Sequence, residues 1–114
     1  MFKLEKLRKA LLKENVDALL ITNPFNRRYM TGFTGSSGVV IVSKNDAVFI
    51  TDFRYTEQAK KEVKHFRIIE QETSLFESVA QQVHSMGIQS LGFEKESLLY
   101  SEYEVYKKKI KADF

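Results

Sequence analysis

The chain has 114 residues, of which 43% are hydrophobic and 29% charged, enough for one globular domain with its own core. It contains no cysteine, which excludes disulfides and thiolate metal sites and makes a cytoplasmic location the expectation. The net charge of +3 comes from scattered basic residues. The one cluster, Lys107 to Lys109 with Lys111, falls at an expected helix end, where cations suit the carbonyl end of the dipole, so nucleic acid is not an expected partner. The opening Met1 to Lys9 mixes charged and apolar residues, and nowhere do about 18 apolar residues run together, so neither a signal peptide nor a membrane span is expected.

In chain order, Leu4, Leu7 and Leu11 have helical spacing and Asn15 is a stop, which predicts a helix over 2–14. Ala18-Leu19-Leu20-Ile21 reads as an inner strand covered on both faces. Pro24 opens a short helical turn through Tyr29. A Gly-rich loop then leads into the β-branched run Val39 to Val42, and Ser43 to Asp46 turns the chain into a hairpin partner, Ala47 to Ile50. Asp52 or a neighbour is expected to cap a helix carrying Tyr55, Ala59 and Val63. A strand is predicted near Phe66 to Ile69. A helix follows, begun by the capping-box pair Ser74 and Glu77 and ended at Gly87. Ser90 to Phe93 is a fifth strand, and Ser101 with Glu104 repeats the capping-box spacing ahead of Tyr103, Tyr106 and Ile110. The expected fold is α/β, a mixed sheet of about five strands with helices on both faces.

Two segments carry most of the functional information. Tyr29-Met30-Thr31-Gly32-Phe33-Thr34-Gly35-Ser36-Ser37-Gly38 is a loop whose three glycines permit tight folding, and Thr51-Asp52-Phe53-Arg54-Tyr55 follows the hairpin. With Asn23-Pro24 before them and Leu91-Gly92-Phe93-Glu94 after, in this order and spacing, they resemble the amino-terminal domain of the creatinase, prolidase and aminopeptidase P family, most closely its bacterial Xaa-Pro dipeptidases. The likeness covers nearly the whole chain. It implies a ribonuclease H-like fold of the creatinase amino-terminal type, with residues 1–114 as one domain excised from a longer enzyme.

The residues themselves offer little catalytic chemistry. His65 and His84 fall at expected surface positions and lack metal-ligand spacing, so no metal site is expected in this chain. Ser36 and Ser37 have no base context and no strand-to-helix elbow. The loop has no Lys-Ser or Lys-Thr after its last glycine and enters a strand, which argues against a phosphate cradle. The resemblance implies that catalysis belongs to a separate carboxy-terminal pita-bread domain. There a two-metal centre, expected to hold manganese, would activate water to cleave the bond before proline.

The resemblance also implies partners: that catalytic domain, a second copy in a homodimer, and a peptide substrate whose size the amino-terminal loops help to limit. On this basis Phe33, Thr34, Ser36 and Ser37 are candidates for a pocket rim, in the same or a neighbouring subunit; an ordinary strand-entry loop is the plain alternative. Arg54 and Tyr55 are candidates for contacting a substrate carboxylate, against the alternative that Arg54 simply pairs with Asp52 at the surface. Gly32, Gly35, Gly38 and Asp52 are expected to shape the site rather than touch substrate. A creatinase-like hydrolase, or a non-enzymatic peptide- or protein-binding module like the family's histone-binding relatives, is the other reading.

Overall fold

The computed structural model describes residues 2–114. Helix α1 spans Phe2–Glu14 and ends where Asn15 turns left-handed (φ 56°), a conformation asparagine tolerates. Strand β1 (Ala18–Ile21), helix α2 (Pro24–Thr31), strands β2 (Val39–Ser43) and β3 (Ala47–Thr51), helix α3 (Thr56–Glu62), strand β4 (Arg67–Glu70), helix α4 (Leu75–Ser85), strand β5 (Leu91–Phe93) and helix α5 (Tyr100–Lys109) follow.

The five strands form one mixed sheet in the order β4-β3-β2-β1-β5. β2 runs antiparallel to both β1 and β3, whereas β5 runs parallel to β1 and β4 parallel to β3. The period-two alternation of the inner strands divides the core into two layers. Ala18, Leu20, Val39, Ile41, Val48 and Ile50 face Val79 and Val83 of α4 and Tyr106 of α5. Ile21, Val40, Val42, Ala47 and Phe49 face Leu4 of α1, Met30 of α2, and Ala59 with nearby Val63 at α3. Each fully buried Val, Leu, Ile or Phe contributes about 1.5–3 kcal/mol relative to exposure. These two layers, rather than helix propensity, hold the short helices in place. The mixed sheet with helices on both faces is the architecture read from the sequence. No helix among the described residues is long and apolar enough to cross a membrane.

Local capping departs from the expectations at three places. Tyr55, not Asp52, occupies the N-cap of α3, without a side-chain cap; the Asp52 carboxylate turns to the Arg54 backbone N–H at 3.0 Å instead. Ser74 caps α4 by accepting from Glu77 N–H at 3.1 Å, but the Glu77 carboxylate pairs with Lys109 of α5 and ties the two helices together. Helix α5 begins earlier than the Ser101 and Glu104 spacing implies. Its first backbone N–H, at Leu99, is satisfied by Glu102 at 3.0 Å, leaving Ser101 and Glu104 inside the helix.

Two links close the sheet beyond the hairpin. The Asp17 carboxylate accepts from the N–H groups of Gln89 (2.8 Å) and Ser90 (3.2 Å), while Asp17 N–H donates back to Ser90 Oγ at 2.9 Å. After α5 the backbone of Asp113 bridges Gln89 and Leu91 in parallel, and Phe114 packs its ring 4.9 Å from that of Phe93.

The register puts the C-terminal ends of β1, β3, β4 and β5 and the N-terminal start of β2 at one end of the sheet. Every segment carrying a sequence motif emerges there.

Candidate functional site

The Gly-rich loop begins where α2 stops. Asn23 caps that helix through Phe25 N–H (2.9 Å) and Asn26 N–H (3.0 Å), and Gly32 closes it with φ 79°. Glu94, the last residue of the Leu-Gly-Phe-Glu motif, fastens this region to β5. Its carboxylate accepts from the N–H groups of Thr22 (2.7 Å) and Asn23 (2.9 Å) and from Asn26 Nδ2 (2.5 Å).

The loop is folded around carbonyl contacts rather than left open. Arg27, buried on the inner face of α2, donates through Nη1 to the Gly38 carbonyl at 3.0 Å and through Nη2 to the Gly35 carbonyl at 2.8 Å. Burial shifts the guanidinium pKa below its ordinary value; the two carbonyls satisfy Nη1 and Nη2, while Nε is buried without a hydrogen-bond partner. Thr51 Oγ1 donates to the Ser37 carbonyl at 2.8 Å. At Gly35 a side chain has no room: a Cβ would lie 2.6 Å from Phe33 Cε2 and 3.0 Å from Tyr55 Cδ1.

The structure brings the two candidate segments into one unit. Ser36 Oγ and Tyr55 Oη lie 2.6 Å apart, with either hydroxyl able to donate. The Phe33 ring meets the Tyr55 ring edge-on at 6.0 Å and the Phe49 ring at 4.7 Å. Phe33 corrects an expectation: at 1% exposure it is a core residue beneath the loop, so it cannot itself line an exposed rim. In the second segment, Phe53 is 76% exposed. Thr34, Ser36 and, partly, Ser37 do reach the surface. Thr34 is tethered sideways, its N–H and Oγ1 donating to Glu62 at 2.8 and 3.0 Å. The Thr34 N–H holds the Glu62 carboxyl below its ordinary range, aided by the Thr34 hydroxyl and Gln58.

Arg54 and Asp52 form a two-point pair, with Nε to Oδ1 and Nη2 to Oδ2 both at 2.9 Å. Hydrogen bonding to Arg54 lowers the Asp52 pKa, and Asp52 raises that of Arg54. The Asp52 side chain is only 13% exposed and that of Arg54 is 63% exposed, so the arginine faces solvent from a fixed anchor. Its guanidinium also lies 5.3 Å from the Tyr55 ring centroid. The surface pair weighed in the sequence is therefore present, and it leaves part of the guanidinium uncovered.

Sequence reasoning did not single out Arg27 or Glu62, and it named Thr51 and Glu94 only as members of motifs, without a role of their own. Arg27 carries a usable signal: it sits three and four residues before Met30 and Thr31, which puts it on the buried side of α2. His65 and His84 are exposed, and among the described residues no group of three or more His, Cys, Asp or Glu stands together to hold a metal ion. The residues described here therefore do not fit the two-metal centre that the resemblance leads one to expect of a separate domain. What the site can do is present Phe53, Ser36 and Arg54 from a tightly braced sheet end.

Residues 3–114 match the family described as Creatinase/Prolidase N-terminal domain. The peptidase YqhT of Bacillus subtilis is 54% identical over 104 residues, which are 91% of this chain and 30% of that protein. The Xaa-Pro dipeptidase from Bacillus anthracis superposes with a TM-score of 0.98 at 47% identity, covering all of this chain and 32% of that one. The N-terminal domain of the cytoplasmic peptidase PepQ from Mycobacterium tuberculosis H37Rv gives 0.87 at 28% identity, covering 96% of this chain and 85% of that one. The chain thus spans about a third of the length of YqhT and of the Bacillus anthracis enzyme. By family match, identity and fold together, it belongs to the creatinase/prolidase N-terminal domain family.

Proposed function

We propose that the chain is the non-catalytic amino-terminal domain of a cytoplasmic, metal-dependent Xaa-Pro peptidase, and that its braced sheet end shapes the pocket in which peptides are cleaved before proline. The observation that carries this reading is the union of the Gly-rich loop with the Asp52 to Tyr55 turn. Two segments of unlike sequence are locked together by the Ser36 and Tyr55 hydroxyls at 2.6 Å, and side chains from both are left facing outward. Such bracing suits a wall that must keep its shape while substrates come and go.

On this reading Ser36, Phe53 and Arg54 line the pocket rim, and Arg54 receives the carboxylate of short substrates. Ser37 and Tyr55 lie directly behind them. The domain would also support a homodimer, presenting this end to the pocket of its own or the neighbouring subunit. Two divalent metal ions, which we take to be manganese, would be bound by the carboxy-terminal catalytic domain and would supply the hydrolytic water there. This chain's residues would orient and select the substrate.

The test compares hydrolysis of an Xaa-Pro dipeptide, with and without added Mn²⁺, by this chain alone and by a polypeptide extended to the length of the relatives. Activity only in the longer protein supports the proposal. Activity in this chain alone overturns it, and activity in neither favours a peptide- or protein-binding module.

A further inference from the structure

The contacts around Arg54 define more than a surface ion pair. A guanidinium has five N–H donors in a flat fork. Asp52 occupies the edge formed by Nε and Nη2, at 2.9 Å on each side, and so fixes the plane of the group. The opposite edge, formed by Nη1 and the second proton of Nη2, remains a complete two-point donor with no partner among the described residues. Tyr55 lies against the guanidinium, with its ring centroid 5.3 Å from Cζ. That ring is held in turn by the Phe33 edge at 6.0 Å and, at its far end, by Ser36 Oγ at 2.6 Å. Movement of the Gly-rich loop would therefore be passed through the Tyr55 ring to the arginine.

Resting on the function proposed above, we infer that Asp52, Tyr55 and Ser36 are positioning residues that hold the Arg54 guanidinium with its free edge outward, as a two-point receptor for the carboxylate of a short peptide. Asp52 sets the plane, Tyr55 supports the group, and Ser36 keeps the Tyr55 ring from turning. Asp52 also offsets the charge of Arg54, so recognition depends on the matched geometry of two hydrogen bonds more than on long-range attraction. A ligand with the same backbone but an amide in place of the carboxylate loses that match.

Two measurements test this. In the first, solvent exchange of the Arg54 Nε–H is followed by nitrogen-15 NMR in this chain and its Asp52→Asn, Tyr55→Phe and Ser36→Ala variants, with the amide spectrum reporting that each is folded. Exchange should accelerate about tenfold in Asp52→Asn and several-fold in both hydroxyl variants. Wild-type exchange in Tyr55→Phe and Ser36→Ala overturns the positioning role of the loop. In the second, kinetics of the extended polypeptide are compared for an Xaa-Pro dipeptide and its C-terminal amide. Tyr55→Phe and Ser36→Ala should raise KM for the free dipeptide about three- to tenfold at unchanged kcat and raise KM for the amide by a clearly smaller factor, as should Arg54→Ala. If Arg54→Ala raises KM but the hydroxyl variants do not, the inference fails and the function stands. If wild type hydrolyses neither substrate, the proposed function fails, and substrate recognition with it, while NMR still decides whether Tyr55 and Ser36 hold the arginine.

Discussion

Arg27 Nη1 donates to the Gly38 carbonyl at 3.0 Å, so a buried cation from α2 holds the point at which the Gly-rich loop enters β2. Hydrogen bonds to charged groups contribute about 1.5–3 kcal/mol each, and Arg27 makes a second one, to Gly35. Arg27→Ala is expected to destabilise the chain by about 3 kcal/mol in urea unfolding. Arg27→Lys should recover less than half of the loss, since a lysine cannot span both carbonyls in a fixed fork. A loss below about 0.5 kcal/mol in Arg27→Ala would show that the loop does not depend on this residue.

Two glycines should respond differently to alanine. At Gly35 the added methyl meets the Phe33 and Tyr55 rings, whereas at Gly87 nothing lies within 4 Å and only the left-handed φ of 67° opposes it. Gly35→Ala is expected to cost about 2–3 kcal/mol and Gly87→Ala about 1 kcal/mol. Thermal unfolding of the two variants side by side checks the order, and a larger loss at Gly87 would contradict the packing described beneath the loop.

Helix α5 offers a test of where its cap lies. Glu102→Ala removes the acceptor for Leu99 N–H and should cost about 0.5–1 kcal/mol, while Ser101→Ala, inside the first turn, should be neutral or slightly stabilising. The reverse ranking in urea titrations would restore the cap position expected from the Ser101 and Glu104 spacing.

Acid should loosen the loop at Thr34. The Glu62 carboxyl is held below its usual value of 4.5 by the Thr34 N–H. A depressed folded-state pKa gives stability that is complete above the unfolded value and is lost as pH falls through the folded one. The Thr34 amide resonance should therefore titrate below pH 4.5, and Glu62→Gln should abolish that titration without affecting the rest of the sheet. A Thr34 midpoint at or above the ordinary glutamate value would rule out the contact.

The fold was readable because apolar period and turn residues agree along most of the chain. The run Val39 to Val42, the Ser43 to Asp46 turn and the return at Ala47 define a hairpin by local signals alone. The candidate site was readable only as two separate segments. Nothing local to Ser36 points to Tyr55, because their contact is produced by the pairing of β2 with β3. Phe33 was assigned to the surface because its glycine-flanked context reads as a loop, while its burial depends on Phe49, from a strand 16 residues further on. The Ser101 cap failed for a different reason: the N-cap is Leu99, whose side chain cannot cap and so leaves no signal in the sequence, and Glu102 meets its N–H only because the helix starts there.

The position of β1 in the sheet bears on how the chain assembles. Its pairing with β2, and that of β2 with β3, closes short stretches of chain. Its pairing with β5 brings together segments such as Asp17 and Ser90, 73 residues apart. Closing the longer loop costs more chain entropy, and that cost is recovered only after α4 can pack on the sheet. The three strands β1 to β3 are thus the natural early unit, with β5 and α5 joining last. Asp17→Ala, which cuts the link at that late seam, is expected to accelerate unfolding while leaving the refolding rate nearly unchanged in stopped-flow experiments. The sheet end bearing Arg54 would then take shape before the far edge of the sheet closes.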